Sequence, residues 1–479
     1  MAHVIAIDLG AESGRVARVT FDGAALHLEE IHRFPNIPVR VGKTLHWDAL
    51  RLWHEIQTGI EGASKAADKP AGIGLDCWGV DWALLDRDGN LIGNPVHYRD
   101  SRTDGMMEWV FERVPRRTIF ERTGIQFMQI NTLFQLASLV RAGSAQFEYA
   151  QTFLSIADLF NYWMTGAKVC EFSHATTQHI YNPRTRDWDW ETLKAVGIPT
   201  HLFGEIVQPG TRLGAFNGIP VFAPATHDTG SAVVAVPTIT ADYAYLSSGT
   251  WSLIGLELPE PIISDAAYEA NVTNEGGYGG TFRFLKNVAG LWIAQQSRAT
   301  WRAQGTEYSY ADLTQLAVDA EPFRSFIDPD DNAFLPPGDM PARIRDFCAR
   351  TNQPIPETPG QVTRTIYESL ALKYRHSLDM LSALSGRQIE RLHIIGGGTQ
   401  NTLLCQMTAD AIKRPVVAGP IEATALGNAI AQLIAVGELG GLSEARELLS
   451  RTVETALYEP KHPAAWDDAY GRYQSILGK

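Results

Sequence analysis

The sequence predicts an α/β protein of two domains, and three observations carry that prediction. β-branched segments alternate with amphipathic helical segments along the chain, the pattern of sheets whose faces are covered by helices. A strand–turn–strand device at residues 3–21 returns about half a chain later at 242–258. The chain has 479 residues, 45% of them hydrophobic, whereas single cores stop growing at about 250–300 residues.

HVIAIDLG (3–10) is a β-branched run, and RVARVTFDG (15–23) alternates apolar and polar residues as a half-buried strand does. GAESG between them reads as a tight turn whose two glycines can take positive φ. IHRFPNIPVR offers a third strand. Residues 48–67 follow with helical spacing, then a buried strand, GIGLDCWGV (72–80). Helical pattern dominates 104–166. PVFAPATHDTGSAVVAVP (220–237) ends in prolines and small residues, which puts the domain boundary at about 237, between domains 1–237 and 238–479. DYAYLSSGTWSLIGLEL (242–258) is the second hairpin. Helices are expected through LKNVAGLWIAQQSRATW, beginning at residue 285, and through 357–386. RLHIIGGGTQNTLLCQMTADAI (391–412) reads as strand, glycine turn and helix, and 416–437 as strand, loop and helix. The Pro/Gly/Asp cluster at 328–341 reads as a surface loop.

Composition excludes several functions. Lys plus Arg total 41 against 54 Asp plus Glu, a net charge of −13. Nucleic-acid binding would need a basic stripe, and none is present. Small anions are still admissible, because backbone N–H groups can hold phosphate locally. Cys77, Cys170, Cys348 and Cys405 are too few and scattered for a disulfide scaffold or a zinc site. MAHVIAIDLG lacks a basic n-region, and no stretch reaches the roughly 18 apolar residues of a spanning helix. The best, ATALGNAIAQLIAV, is interrupted by Asn428 and Gln432. The expectation is a soluble, cytoplasmic protein with no membrane or nucleic-acid partner, either a monomer or a homodimer.

Three Gly-rich turns follow strands: GAESGR (10–15), SSGTWS (247–252) and GGGTQN (396–401). Each is an ordinary turn or a concave set of N–H groups for an oxyanion. Two such loops can clamp a triphosphate while the third lets a nucleoside approach the backbone. Neither GxGxxG nor GxxxxGK[ST] occurs, which argues against a dinucleotide site or a P-loop. Asp8, ending the first strand, either caps a turn or holds hydrated magnesium. In ATHDTGSA (225–232), Asp228 is either a helix cap or a base that accepts a hydroxyl proton during attack on phosphorus. Asp76, Trp78, Gly79 and Asp81 in GLDCWGVDW suit a sugar if Trp78 does not simply pack. KNVAGLW reads as a helix opening, with Asn287 at its N-terminus and Gln295 two turns on along the same face.

Taken together, these segments resemble the FGGY family of sugar kinases, in the superfamily that includes actin, hexokinase and the heat-shock chaperone ATPases. IAIDLGAESGR is similar to the first phosphate loop, YLSSGTWSLIG to the second, LHIIGGGTQN to the adenosine loop and GPIEATALGNA to the C-terminal signature. The match runs along essentially the whole chain in order. DCWGVDWALLD, HYRDSRT, TGIQFMQINTLFQL, SHATTQ, ATHDT and NVTNEGGYGGTFRFLKNVAGLW are similar to members that act on L-rhamnulose. His97 stands where alanine is commoner, and the cysteines miss the positions of those some relatives carry, so no disulfide is implied.

The resemblance implies two ribonuclease-H-like, actin/hexokinase-type domains around a central cleft, sugar held mainly by the first and ATP mainly by the second. It implies phosphorylation of L-rhamnulose at its 1-hydroxyl by ATP with Mg2+, in L-rhamnose catabolism. Asp228 would be the catalytic base, with His227 and Thr229 orienting the sugar and Gly79 and Asn287 also contacting it. Ala11, Glu12, Ser13, Gly14, Arg15, Thr250, Gln295 and Gly397 would bind ATP, and Asp8 would hold magnesium through water. A kinase for another ketose, such as L-fuculose, would share the phosphate loops. A non-catalytic sugar-responsive protein would be expected to lack Asp228 or Thr250; both are present.

Overall fold

Val4, Ile5, Ala6, Ile7 and Leu9 are all fully buried, so the first β-branched run forms a central strand, β1 (Ala2–Leu9). In the computed structural model, which describes residues 1–65 and 68–477, it pairs antiparallel with β2 (Ser13–Phe21), itself paired with β3 (Leu26–Pro35). Helix α1 (Ala49–Ala63) is capped by the Asp48 carboxylate and buries Leu52, Ile56, Ile60 and Ala63. A Cβ on Gly59 would lie 2.3 Å from Val16, so glycine lets the helix press onto β2. The helix was expected over 48–67; residues 66–67 of that span lie outside the described residues.

Strand β4 (Gly72–Cys77) is buried throughout and runs parallel to β1. With β5 (Arg212–Phe216) and β6 (Ile219–Phe222) the sheet has the order β5-β6-β4-β1-β2-β3. Its parallel strands β6, β4 and β1 end on one edge, the side where open α/β sheets bind ligands. After β6 the chain enters a short helix, α2 (Asp228–Val234).

The second hairpin is as expected: β7 (Tyr243–Ser248) pairs with β8 (Ser252–Leu258) around a three-residue turn. Strands β9 (Thr273–Gly276) and β10 (Phe282–Val288) follow. The expected helix from residue 285 is a correction. FRFLKNV is a strand with Phe282 and Phe284 buried, and helix α3 begins only at Trp292 (Trp292–Ala303). Gly290 marks the break: a Cβ there would lie 2.6 Å from the Trp251 backbone. Helix α4 (Pro359–Ser385) has the Thr358/Gln361 capping box and stops at Gly386, whose φ is 67°. Strand β11 (Arg391–Ile395) runs parallel to β7 and leads through the glycine turn to α5 (Thr402–Ile412), which packs on α4. Strand β12 (Val416–Ala418) is parallel to β11 and antiparallel to β13 (Ala456–Tyr458).

Helix α6 (Ala423–Ala435) belongs with the first sheet although it lies late in the chain. One compact unit comprises Met1–Ile239, Glu257–Phe284 and Ala423–Thr452; the other comprises Thr240–Leu256, Leu285–Glu422 and Val453–Lys479. Alternate residues of β4 explain how α6 seats. Gly72, Gly74 and Asp76 share one strand face, about 6–7 Å per two residues, close to the roughly 6 Å between i and i+4 on a helix. Gln432 and Asn428 therefore meet that face in register. A Cβ on Gly72 would lie 2.8 Å from Gln432 Oε1, and one on Gly74 2.5 Å from Asn428 Oδ1. Gln432 donates to Ile5 O at 3.0 Å and to Asn428 Oδ1 at 2.7 Å. The polar breaks in this apolar run are thus the helix's hydrogen bonds to the sheet. No described helix is long and apolar enough to cross a membrane.

The other face of α6 meets α2, where a Cβ on Gly427 would lie 1.8 Å from Ser231 O. Gly427→Ala must push the two helices apart, and overpacking of this kind costs about 1–3 kcal/mol. Gly471→Ala, where a Cβ meets nothing within 4 Å, is the control. Thermal unfolding should show a lowered midpoint for Gly427→Ala and an unchanged or raised one for Gly471→Ala.

Candidate active site

Asp8 stands at the end of β1, registered with Arg15 on β2 and Asp76 on β4. Arg15 donates to Asp8 Oδ2 from Nε at 2.9 Å and from Nη2 at 2.6 Å. Asp76 is fully buried; its Oδ2 accepts from Asn428 Nδ2 at 2.7 Å, and its Oδ1 has no hydrogen-bond partner. Burial raises the Asp76 carboxyl well above the ordinary carboxylate range, and the charges of Asp8 and Asp228 push the same way. Sequence reasoning set Asp76 beside a sugar. The structure sets it in an acidic corner with Asp8, held by a helix more than 350 residues away in sequence.

Asp228 reaches this corner because Cys77 N–H donates to Thr226 O at 2.8 Å and Cys77 bridges to His227, extending the sheet beyond β4. It is the first residue of α2, and its Oδ1 accepts from Thr229 N at 2.6 Å and Thr229 Oγ1 at 3.2 Å. One oxygen is thus held locally, as a cap reading expects, while Oδ2 takes no hydrogen bond among the described residues. Burial raises its carboxyl above the usual value; His227 and the Thr229 donors oppose the shift, and Asp8 adds to it.

His227 is buried beside Asp228, its Nε2 3.5 Å from Asp228 Oδ1. A Cβ on Gly79 would lie 2.9 Å from that Nε2, so glycine is required for the close approach. The next residue, Val80, has φ 68°, and Asp81 N–H donates to Gly79 O at 3.0 Å. A β-branched residue in the left-handed region is strained. The turn is held because Val80 O accepts from Thr132 Oγ1 at 2.6 Å and Gln135 Nε2 at 3.2 Å. Trp78 packs: its ring lies 4.2 Å from that of Trp47, and its N–H donates to Asp81 Oδ2. Asp81 also accepts from Trp47 and Gln135 and is a buried hub whose carboxyl is pushed up to about 6 by burial.

The structure thus brings Asp8, Arg15, Gly79, His227, Asp228 and Thr229 together in the first unit. Ala11, Glu12 and Ser13 form the loop there, with Asn36 N donating to Glu12 O and Asn36 Nδ2 donating to Gly10 O. The expected turn forms, with Gly10 N–H donating to Ser13 O at 2.9 Å, but Gly10 and Gly14 are not among the positive-φ residues. Gly14 is glycine for packing: a Cβ would lie 2.4 Å from the Phe34 ring and 2.8 Å from Leu9.

Thr250, Asn287, Gln295 and Gly397 lie in the second unit. The Gly249 and Thr250 carbonyls accept from Leu291 and Trp292 N–H, seating the turn on the start of α3. Gln295 is in that helix's first turns with Oε1 buried and unpartnered. A Cβ on Gly398 would lie 2.0 Å from Ser248 Oγ, so the third glycine turn packs on the second. A Cβ on Gly249 would have 3.9 Å to its nearest neighbour, and one on Gly397 would meet nothing within 4 Å. Asn287 lies within β10, not at a helix start, so it does not share a helix face with Gln295.

Among the described residues no three or more His, Cys, Asp or Glu side chains converge to ligate a metal directly. A hydrated magnesium ion fits the acidic corner nonetheless. Such an ion keeps most of its waters and needs one or two hard carboxylate oxygens, and Asp76 Oδ1 is a buried oxygen with no partner.

Comparison with known proteins identifies the family. Residues 3–234 match the N-terminal domain of the FGGY family of carbohydrate kinases and residues 244–436 its C-terminal domain. A Bacteroides thetaiotaomicron protein named rhamnulokinase is 45% identical over 99% of this chain and 99% of its own. Rhamnulokinases of Pectobacterium atrosepticum (99% of this chain, 96% of theirs) and Halalkalibacterium halodurans (96% and 99%) are each 41% identical. A ligand-bound xylulose kinase from Lactobacillus acidophilus shares the fold with a TM-score of 0.82 at 17% identity, covering 99% of this chain and 98% of its own. Plasmodium falciparum glycerol kinase with ADP does so with 0.77 at 16% identity, covering 99% and 97%. With both family domains matched in order over most of its length, this chain belongs to the FGGY family of carbohydrate kinases.

Proposed function

We propose that the protein transfers the γ-phosphoryl group of ATP to the 1-hydroxyl of L-rhamnulose, giving L-rhamnulose 1-phosphate, in L-rhamnose catabolism. The observation that carries the reading is full-length identity of 38–45% to relatives named rhamnulokinase. We place the reaction in the cytoplasm, where free buried cysteines such as Cys77 and Cys170 stay reduced.

Phosphoryl transfer asks little covalent chemistry of a protein; positioning and charge stabilisation supply most of the rate. Asp228 accepts the proton of the attacking hydroxyl, and its raised carboxyl suits a base working near neutral pH. His227 and Thr229 flank it and orient the sugar, with Gly79 and Asn287 as further contacts. The loop of Ala11, Glu12, Ser13, Gly14 and Arg15 binds ATP, and so do Thr250, Gln295 and Gly397. Arg15 also holds Asp8 in place. Asp8 would hold magnesium through water, and the ion would supply neutralisation of charge on the transferring phosphate.

A panel of ketoses in a coupled ADP-release assay tests the sugar assignment. L-rhamnulose should give the highest kcat/KM; a higher value for L-fuculose would reassign the substrate. Asp228→Asn should keep the fold and ATP binding while lowering kcat by about 10²–10⁴-fold. In the wild type, activity should be lost on acidification through a pKa above the ordinary carboxylate value, because the base works only when deprotonated. Near-normal turnover of Asp228→Asn would remove it from the mechanism.

Gly249→Val places a Cβ no closer than 3.9 Å to another protein atom. It should leave the unfolding midpoint unchanged and raise the KM for ATP far more than that for sugar. Equal rises in both would make the turn a structural feature only.

A further inference from the structure

Arg283 is fully buried, an unusual place for a guanidinium. Its Nε donates to Gly276 O at 2.9 Å, and its Nη2 lies 3.2 Å from Glu275 Oε2 and 3.0 Å from His227 Nδ1. Glu275 is buried too, and its Oε2 is 3.4 Å from the same His227 Nδ1. The Thr177 hydroxyl completes the set at 3.1 Å from Nδ1. Among the described residues His174 also lies by the ring, 5.7 Å away between centroids, with Asp228 at Nε2; Cys77 pairs with His227 through the backbone.

A buried ion pair is a poor source of stability, since well-packed apolar residues in its place are often as stable. Its position at His227 supplies another reason for it. Guanidinium has donors and no acceptor, so His227 Nδ1 must accept from Arg283, and the neutral ring carries its proton on Nε2. Glu275 alone would draw a proton onto Nδ1 instead. Arg283 cancels that pull and occupies Nδ1 with a donor. The nitrogen left carrying hydrogen is the one against Gly79 and Asp228.

We propose that the Glu275–Arg283 pair is a positioning device that fixes the His227 ring with its Nε2–H toward Asp228 and the sugar hydroxyl. Both side chains are buried, and the pair acts through His227. The inference rests on the reading of His227 and Asp228 as the sugar-activating residues.

The first test needs no variant of the pair. In the full-length wild-type protein labelled with 15N-histidine, the signal absent from His227→Gln should show the Nε2–H tautomer. An Nδ1–H tautomer would overturn the proposal. The second test uses Arg283→Met/Glu275→Gln, which leaves no lone buried charge, and Arg283→Lys, which keeps the charge and loses the fork. In the double variant the Nε2–H signature should be lost and kcat/KM for L-rhamnulose should fall by about 10²-fold, with KM for ATP unchanged. Arg283→Lys should recover little. An unchanged tautomer, or unchanged sugar kinetics, in a folded double variant would overturn the proposal; if that variant does not fold, the wild-type spectrum decides. Normal turnover of Asp228→Asn would instead defeat the catalytic reading, leaving the tautomer result standing.

Discussion

Three carboxyl groups, Asp8, Asp76 and Asp228, meet at the carboxyl ends of adjacent strands, and much of the first unit is arranged around that concentration of like charge. Arg15 answers Asp8 from across the hairpin. Asn428 answers Asp76, but only because Gly72 and Gly74 clear a path for α6 along β4, and Gly427 clears one along α2. Residues near 10, 75, 230 and 430 are thereby tied to one electrostatic problem. What remains unanswered in that corner is the negative potential that a cation would exploit.

Features governed by local chain chemistry were legible in the sequence. Both hairpins, the helix expected over 357–386, and the strand–glycine–helix turn at 391–412 follow from spacing and turn residues, and each stands where expected. Asn287 was misplaced because KNVAGLW has helical composition, while strand pairing of FRFLKNV and the tight approach at Gly290 depend on partners far along the chain. Gly14 was read as a turn residue for the same reason: its neighbour Phe34 lies on another strand. The alternation of Gly72, Gly74 and Asp76 was a usable signal for a helix pressed on a strand. Glu275 and Arg283 gave a weaker one, charges set within strand segments.

The site residues divide by the same logic. The three glycine turns announce themselves because backbone conformation leaves glycine and small polar residues in the sequence. The sugar side works through side chains whose meaning depends on what surrounds them. Trp78 and Asp81 look like sugar ligands in a string of letters, yet each satisfies the other in the core. His227 looks like any histidine until Arg283 and Glu275 stand behind it.

That division explains how a chain of net charge −13 can take a polyanion as substrate. Its described cations are largely spent on its own carboxylates: Arg15 on Asp8, Arg283 on Glu275, and Lys373 on Asp328 and Asp330. In the proposed reaction phosphate would be left to N–H dipoles and to magnesium, which act at short range and do not depend on net charge. Such an arrangement keeps loose cations away from the acceptor hydroxyl. With Asp228 as the proposed base, a mobile lysine there would lower its pKa and weaken it, whereas a neutral N–H on His227 would orient the hydroxyl without discharging the carboxylate. The buried ion pairs and the acidic surface are thus two sides of one constraint: positive charge near the acceptor is useful only where its direction is fixed.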